Sequence, residues 1–306
     1  MSLILVLFIV CQLMIITRRN IELVLPPVLL TMMPLLGVFA CFYQLTAVSY
    51  LLGFIAILLT VYIYCKKTNK SSLLSGKQFI KNLFTPSFVA LLIAMFIIAL
   101  FTSNSKVFHP DEYRFYAFET KMIYSYNGFA SGAAYGDVNY SGVYADYMPG
   151  LPLLLAWITS HCGHFNESIL YLALNSFHCI MLLPLFTKIK WKQWYLTPAI
   201  ILVLLLLPFV INPFSSNILY VDTLISFIFG YLLILLLELN PKSRFDKYCL
   251  LISFIGIIML KEGGFLSILF IIAFYFILGK HKIMPKKFTI TLFLSPLFVY
   301  GIWRLI

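Results

Sequence analysis

Two adjacent carboxylates, Asp111 and Glu112, are the side chains of this sequence best suited to chemistry in water. They follow His109-Pro110 and open a polar segment, residues 104–148, which has long apolar stretches on either side. Carboxylates perform acid–base work in many active sites, so the segment is a candidate active site beside a membrane. A simpler interpretation is that both acids only stabilise a helix that begins at Pro110, because acidic side chains favour a helix N-terminus. The segment alone leaves both interpretations open.

Two further polar groups lie at the ends of apolar runs. Lys261-Glu262-Gly263-Gly264 separates two runs that are both shorter than the roughly 20 residues needed to cross a bilayer. We expect Lys261 and Glu262 to lie at or below the outer membrane surface, where ionised residues usually serve function. An ordinary outer loop with a local ion pair is the alternative. Asp222 opens another apolar run, and stabilisation of the helix N-terminus explains its position equally well.

The composition indicates a membrane protein. Of the 306 residues, 62% are hydrophobic and 11% are charged, and the mean hydropathy is +0.97. The net charge of +11 would suit nucleic acid, but the basic residues form short clusters between apolar runs, as the positive-inside rule predicts. We therefore expect a multi-pass protein of the cell membrane, in contact with membrane lipid and without a nucleic-acid partner.

About ten transmembrane helices are predicted from the apolar runs. They are residues 2–16, 21–43, 47–65, 86–103, 166–187, 196–212, 218–239, 248–260, 265–279 and 288–303. The predicted fold is accordingly all-α and polytopic.

Clusters of Lys and Arg decide which loops are cytoplasmic. The clusters lie at 18–19, 66–81, 188–192, 242–247 and 280–287. All of them fall on one side only if the apolar segment 149–163, which begins at Pro149, does not cross the membrane. We therefore predict that 149–163 is a re-entrant or interfacial helix and that 104–148 is a large outer loop. Amphipathic interfacial helices are expected in this loop, the first with an apolar stripe at Phe115, Phe118, Met122 and Ile123.

The polar motifs, taken in order, resemble those of the polyprenyl-phosphate-dependent membrane glycosyltransferases of the GT-C superfamily. The ordered set is Asp111-Glu112 after a span, Tyr144-x-x-Tyr147-x-Pro149-Gly150, Tyr220-x-Asp222 and Lys261-Glu262-Gly263-Gly264. The resemblance covers about residues 86–280 and is closest to bacterial envelope-polysaccharide members. It is more distant to the protein O-mannosyltransferase and aminoarabinose transferase families. It implies a GT-C-like catalytic module in 86–306, preceded in 1–85 by a three-span segment and a basic cytoplasmic connector.

The resemblance implies a function in cell-envelope polysaccharide biogenesis. A sugar would pass, with inversion, from a polyprenyl-phosphate donor to an extracytoplasmic glycan, lipid or protein acceptor. Asp111 would be the general base, while Glu112 would position it or hold a divalent cation such as Mg or Mn. Lys261 would bind the donor phosphate, with Arg114 as the alternative. The implied substrate-binding residues are His109, Asp146, Tyr147, Asp222 and Glu262.

The chain also departs from the family pattern. Three predicted spans precede the loop where the better-known relatives have one, and Met148-Pro149-Gly150 replaces a frequent Pro-Pro. The sequence ends soon after Arg304, where relatives continue, so we expect either a truncated member or a sequence from which the rest is missing. The alternatives are a transporter or flippase of lipid-linked glycans, a polysaccharide polymerase, and an inactive GT-C-like subunit. A transporter would show paired repeats and midplane charges, and a polymerase would favour arginine-rich outer loops.

Cysteine labelling tests the predicted topology. Single cysteines that replace Lys188 and Ser131 should react with a membrane-impermeant maleimide from opposite sides, because the basic cluster at 188–192 is predicted to be cytoplasmic. Labelling of both positions from the same side would exclude a segment 149–163 that stays on one side.

Overall fold

The computed structural model describes residues 2–68, 73–109, 116–129, 148–211, 218–238, 240, 242–280 and 284–304. All regular secondary structure in these ranges is helical, as predicted. The α-helices are α1 (Ser2–Thr17), α2 (Ile21–Ala40), α3 (Val48–Thr68), α4 (Gly76–Leu83), α5 (Pro86–Thr102), α6 (Ala117–Tyr126), α7 (Gly150–Ser160), α8 (Glu167–Leu182), α9 (Thr197–Ile211), α10 (Val221–Glu238), α11 (Arg244–Leu260), α12 (Gly264–Ile277) and α13 (Lys286–Trp303). Short 3-10 helices cover Leu45–Ala47, Leu183–Phe186 and Trp191–Leu196.

Fewer helices than predicted are long and apolar enough to cross a membrane. Five in the described ranges meet both requirements, and they become six if the bent pair α4 and α5 is one broken span. The five are Ile21–Ala40, Leu45–Lys67, Glu167–Phe186, Trp191–Ile211 and Val221–Glu238. The predicted count of about ten spans is therefore not supported.

Length and charge at the helix starts explain the difference. Helix α1 has 16 residues and α12 has 14, whereas a straight crossing takes about 20. Helix α11 has 17 residues and carries Arg244, Asp246 and Lys247 in its first turn. Helix α13 begins with Lys286-Lys287, which lowers its hydropathy. Each of these apolar runs thus became a helix, but the runs themselves were already shorter than a straight crossing requires.

Side-chain caps set several of the helix starts. The Thr85 side chain accepts from the Phe88 N–H and Pro86 occupies the first turn, which fixes the start of α5. The Ser243 side chain likewise accepts from the Asp246 N–H at the start of α11. Such caps satisfy N–H groups that have no partner within the helix.

The chain divides into two compact units, and each unit draws on segments that are far apart in the sequence. The first unit comprises Met1–Leu29, Thr46–Lys106 and Ile158–Asn217, and the second comprises Leu30–Leu45, Val107–Trp157 and Ile218–Ile306. Compactness of this kind does not test the predicted division into 1–85 and 86–306, which stays a prediction.

Polar side chains select partner helices in the first unit. There α1 packs against α3 and α4, while α5, α8 and α9 pack against one another. The Gln12 amide in α1 donates to the Ala56 carbonyl oxygen at 2.9 Å and to Thr60 Oγ1 at 2.7 Å. Ser168 at the start of α8 donates to the Ser103 carbonyl oxygen at 3.0 Å. Because unpaired polar groups are costly in apolar surroundings, these bonds specify which helix surfaces meet.

Helix α11 is the centre of the second unit. It packs against α10, α12 and α13, and α10 also packs against α12. From Cys249 to Leu260 all but two of its residues are buried. A helix that is apolar and buried nearly all round belongs in a core, so α11 organises the elements that surround it.

Two glycines let other elements approach the end of α11 closely. A Cβ atom at Gly264 would lie 2.6 Å from the Ile257 carbonyl oxygen, and one at Gly150 would lie 2.4 Å from the Met259 carbonyl oxygen. Both distances are below normal van der Waals contact. The starts of α12 and α7 therefore need glycine, and these are the glycines of the two motifs singled out in the sequence.

The described part of the outer-loop segment contains α6, whose buried face differs from the predicted stripe. Ala117, Thr120 and Ile123 are buried, whereas Phe118 and Met122 are only partly so. Phe115 of the predicted stripe lies outside the described residues. Small side chains form the packed face because they permit close approach, and a hydropathy pattern does not register them.

Helix α7 corresponds to the predicted short helix 149–163. Its 11 residues make it about 16 Å long, which is too short to cross a bilayer of about 30 Å. Every residue from Gly150 to Trp157 is buried. Burial within the protein does not locate a helix relative to the membrane, so the re-entrant or interfacial placement stays a prediction.

Substitution of Gly264 by Ala should destabilise the protein by about 1–3 kcal/mol, the usual cost of overpacking. The added methyl group would meet backbone that cannot move without displacing the end of α11. Gly263→Ala is the matched control, because a Cβ atom there has nothing within 4 Å. Thermal unfolding in detergent should show a lower Tm for Gly264→Ala alone; equal Tm values would contradict the close contact.

Candidate functional site

Four helix ends meet in the second unit and carry a group of polar and charged side chains. The N-termini of α10 and α12 lie beside the C-termini of α11 and α13, as ion pairs between their residues show. We call this group the helix-end cluster. It consists of His109, Tyr220, Asp222, Lys261, Glu262, Tyr300 and Arg304.

The first ion pair of the cluster joins α10 to the residue that follows α11. Lys261 Nζ lies 2.8 Å from Asp222 Oδ1, and the two side chains are 34% and 60% exposed. Lys261 has extended backbone, with φ −167° and ψ 146°, which ends α11 and turns its side chain away from the helix. An ion pair this open to solvent contributes only about 0–1 kcal/mol, so either partner can exchange it for another charge at little cost.

The second ion pair ties the start of α12 to the end of α13. Arg304 Nη2 donates to Glu262 Oε1, and Tyr300 donates its hydroxyl hydrogen to the same oxygen at 3.2 Å. Arg304 Nε also donates to the Tyr300 hydroxyl oxygen at 2.9 Å. Phe265 packs edge-on against the Tyr300 ring, with centroids 5.2 Å apart. This closed network holds Glu262, and with it the turn that leads from Lys261 into α12.

His109 connects the start of the outer-loop segment to the cluster. Its Nδ1 lies 3.4 Å from the Tyr220 hydroxyl oxygen, and the two rings meet at 78° with centroids 5.7 Å apart. At the end of the described part of that segment, Phe129 packs on Trp303 with centroids 5.3 Å apart. Trp303 directly precedes Arg304. His109, near the start of the segment, thus contacts Tyr220 of the cluster, and Phe129, beyond the middle of the segment, contacts the residue next to Arg304.

Two buried polar atoms next to the cluster have no hydrogen-bond partner within the described residues. They are Thr223 Oγ1, which follows Asp222, and Trp303 Nε1. Buried polar groups are nearly always paired, so each orphan marks a place where a further polar group would be accommodated.

Four of the predicted site residues come together. Asp222, Lys261, Glu262 and His109 come from three distant parts of the sequence and all belong to the helix-end cluster. The other predicted residues lie outside the described residues, so their positions stay predictions. These are Asp111, Glu112, Arg114, Asp146 and Tyr147.

Sequence reasoning missed Arg304 and Tyr300 as members of the cluster, and it included Tyr220 in the Tyr220-x-Asp222 motif without giving it a site role. A signal for Arg304 was present, because it is one of the few cations that does not belong to a predicted cytoplasmic cluster. No comparable signal marked Tyr300, since a tyrosine near a helix end is ordinary in membrane proteins.

A divalent cation was predicted only on Asp111 and Glu112. Among the residues that the structure describes, no three His, Cys, Asp or Glu side chains are grouped so that they could hold a metal ion. Asp111 and Glu112 themselves lie outside the described residues.

Glu119 is an ionisable group of the outer-loop segment that the sequence did not single out. It lies in α6, which at 10 residues is too short to cross a membrane. Its side chain keeps some solvent exposure, yet the protein around it removes enough water that burial raises the pKa of its carboxyl to about 8. Glu119 therefore holds a proton at neutral pH.

Comparison with known proteins gives no match to any family model, curated protein or solved structure. The GT-C resemblance thus stays a prediction that the motifs carry.

The pKa of Glu119 predicts a pH-dependent stability. The folded chain binds a proton that the unfolded chain releases above its ordinary pKa of 4.5, so stability should fall as the pH rises from about 4.5 to about 8. Glu119→Gln should flatten this slope in thermal unfolding measured across that range. Glu238→Gln, at an exposed acid that ends α10, should keep the wild-type profile. An unchanged slope in Glu119→Gln would contradict the assignment.

Proposed function

We propose that this protein is a multi-pass membrane glycosyltransferase that moves a sugar from a polyprenyl-phosphate donor to an extracytoplasmic acceptor. One observation carries the proposal: Asp222, Lys261, Glu262 and His109, which the motifs predicted separately, lie in one helix-end cluster. Sites for charged substrates gather such residues from distant parts of a chain, whereas isolated helix caps need no neighbours.

The solvent exposure of Lys261 and its weak ion pair suit the binding of a lipid phosphate. Its ammonium group is partly exposed and its partner Asp222 is more exposed still. The phosphate diester of such a donor carries one negative charge, as a carboxylate does, and becomes a more highly charged monoester as the sugar leaves. It can therefore take the place of Asp222 at Lys261, and the bond strengthens as charge grows on the leaving phosphate.

The network around Glu262 has a supporting role in this proposal. Arg304 and Tyr300 hold Glu262, and Gly264 packs against the end of α11. Both contacts fix the turn that follows Lys261. A phosphate-binding lysine on a rigid turn loses less conformational freedom on binding than one on a free loop.

Asp111 is the proposed general base, and its place in the sequence supports this role. It follows His109 by two residues, and two residues of chain reach at most about 7 Å. His109 contacts Tyr220, which is itself two residues from Asp222. Glu112 would position Asp111 or hold a Mg or Mn ion, and Arg114, Asp146 and Tyr147 would line the acceptor or donor site.

The charges at the opposite ends of α10 to α13 support an extracytoplasmic helix-end cluster. The far ends of these helices carry most of the cations of this part of the chain, and the positive-inside rule assigns such ends to the cytoplasm. The cations are Lys242, Arg244, Lys247, Lys280, Lys286 and Lys287.

One observation favours an inactive subunit instead. Both cations in the described part of the cluster already have a carboxylate partner, so the charges balance without any ligand. A structural cluster of this kind would stabilise the second unit and bind no donor.

Replacement of the proposed base tests the catalytic role. Asp111→Asn keeps the size of the side chain but cannot accept a proton, so transfer should fall by about 100- to 10,000-fold, the usual contribution of a general base. The full chain in nanodiscs is assayed with a panel of polyprenyl-phosphate sugars and extracytoplasmic acceptors. Glu238→Gln, at the far end of α10, is the control and should retain activity.

A measurement of donor binding distinguishes the glycosyltransferase from the inactive subunit. Lys261→Gln should raise the KM for the donor by roughly tenfold or more, because a charge-assisted hydrogen bond to phosphate is lost. Lys242→Gln is the matched cation outside the cluster and should leave KM unchanged. Wild-type protein that transfers no sugar from any donor, or an Asp111→Asn variant with full activity, would contradict the proposal and leave the inactive subunit.

A further inference from the structure

Glu22 is a buried acid in the first unit that the proposed function does not use. It lies in the first turn of α2 and is only 1% exposed. Ser87 Oγ, at the start of α5, donates to Glu22 Oε1. The second carboxyl oxygen, Oε2, is buried and accepts no hydrogen bond from the described residues.

The hydroxyl groups of Ser87 and Thr85 lie next to this carboxyl group. Ser87 is fully buried, and Thr85 is 7% exposed. Their side-chain oxygens are 3.3 Å apart, which makes a short chain of oxygens from Thr85 to Glu22. Thr85 lies at the bend of 46° between α4 and α5.

Charged groups on neighbouring elements do not neutralise Glu22. Arg18 and Arg19 precede α2, Lys77 and Lys81 lie on α4, and Lys190 and Lys192 flank Trp191, whose indole N–H donates to the Phe84 carbonyl oxygen. Helix α5 carries no charged residue, and Cys11 is the titratable group of α1. Within the described residues Glu22 forms no ion pair with any of these cations.

Burial without a counter-charge favours the neutral form of a carboxyl group. An ionised carboxylate needs several donors or a cation to offset lost hydration. The partners of Glu22 are uncharged hydroxyl and backbone groups, and its Oε2 atom has no hydrogen bond from the described residues. A neutral carboxyl loses far less by leaving one oxygen without a partner. An ionisable residue within an apolar helix of a membrane protein also usually serves a function.

We propose that Glu22, Ser87 and Thr85 form a proton-binding site in the first unit, in which Glu22 is held as the neutral carboxylic acid. The site is independent of the proposed glycosyl transfer. Its ligand is a proton, and Ser87 holds the carboxyl group in place.

Infrared spectroscopy of the full chain tests the protonation state directly. The difference spectrum between the wild type and Glu22→Gln at pH 7.5 should contain the C=O band of a protonated carboxyl and no carboxylate band. Bands from all other acids, Glu119 included, cancel in the difference. Carboxylate bands in the difference spectrum would overturn the proposal.

Chemical modification provides a second and independent readout. A hydrophobic carbodiimide reacts with a neutral carboxyl: the acid proton moves to a carbodiimide nitrogen and the carboxyl oxygen bonds to the central carbon. The resulting O-acylisourea rearranges to an N-acylurea, so Glu22 gains the mass of one carbodiimide. Peptide mass spectrometry at pH 7.5 should find the adduct on Glu22 and none on Glu238, which is exposed to water.

Two controls distinguish a proton from other ligands. The Glu22→Gln protein should lose the adduct while its circular dichroism spectrum stays unchanged. The buffer contains choline as its cation, and replacing choline by Na⁺ at constant ionic strength should leave the rate of carbodiimide modification unchanged. Protection by Na⁺ would overturn the proposal, because it would make a metal cation the ligand of the site.

Discussion

Lys261 and Glu262 can stand between two apolar helices because each has a partner of opposite charge on a different helix. Asp222 at the start of α10 neutralises Lys261, and Arg304 at the end of α13 neutralises Glu262. Together the two pairs connect α10, α12 and α13 around the end of α11. The four helix ends of the second unit are therefore brought together by charge, while apolar packing against α11 holds the rest of their length. Exposed ion pairs are weak. Lys261 and Asp222 therefore connect the helices while each can still exchange its partner for another charged group.

The all-helical fold was predictable because apolar runs have few alternatives in lipid, where every backbone group must be paired within its own segment. The number of helices that could span a membrane was not predictable from the count of apolar runs. Helices α1 and α12 have 16 and 14 residues, close to the lengths of their apolar runs but fewer than the roughly 20 of a straight crossing. The compact units were also not predictable, since they combine segments as distant as residues 1–29 and 158–217. Packing of this kind depends on small residues and on single polar contacts such as that of Gln12 with Thr60.

Part of the candidate site was predictable for a physical reason. In a chain with 11% charged residues, a charge at the edge of an apolar run is costly unless it is paired or exposed, so Asp222, Lys261 and Glu262 stood out. Tyr300 and Arg304 did not, because their partner Glu262 is more than 35 residues away in the sequence. Of the apolar stripe predicted for α6, Ile123 is buried and Phe118 and Met122 are partly buried. The packed face also contains the small residues Ala117 and Thr120, which the stripe did not include.

Glu22 and Glu262 show two different solutions to the same electrostatic problem. Glu262 is partly exposed, accepts bonds from Arg304 and Tyr300, and needs its charge to hold α13. Glu22 is buried, Ser87 donates an uncharged hydroxyl to it, and it forms no ion pair within the described residues. A charged ligand can compete for a carboxylate or ammonium group that water already reaches, but it cannot reach Glu22 without paying for desolvation. The helix-end cluster is accordingly where the proposed anionic donor would bind, and the proposed ligand of the Glu22 site is the one cation that needs no hydration shell inside the protein, a proton.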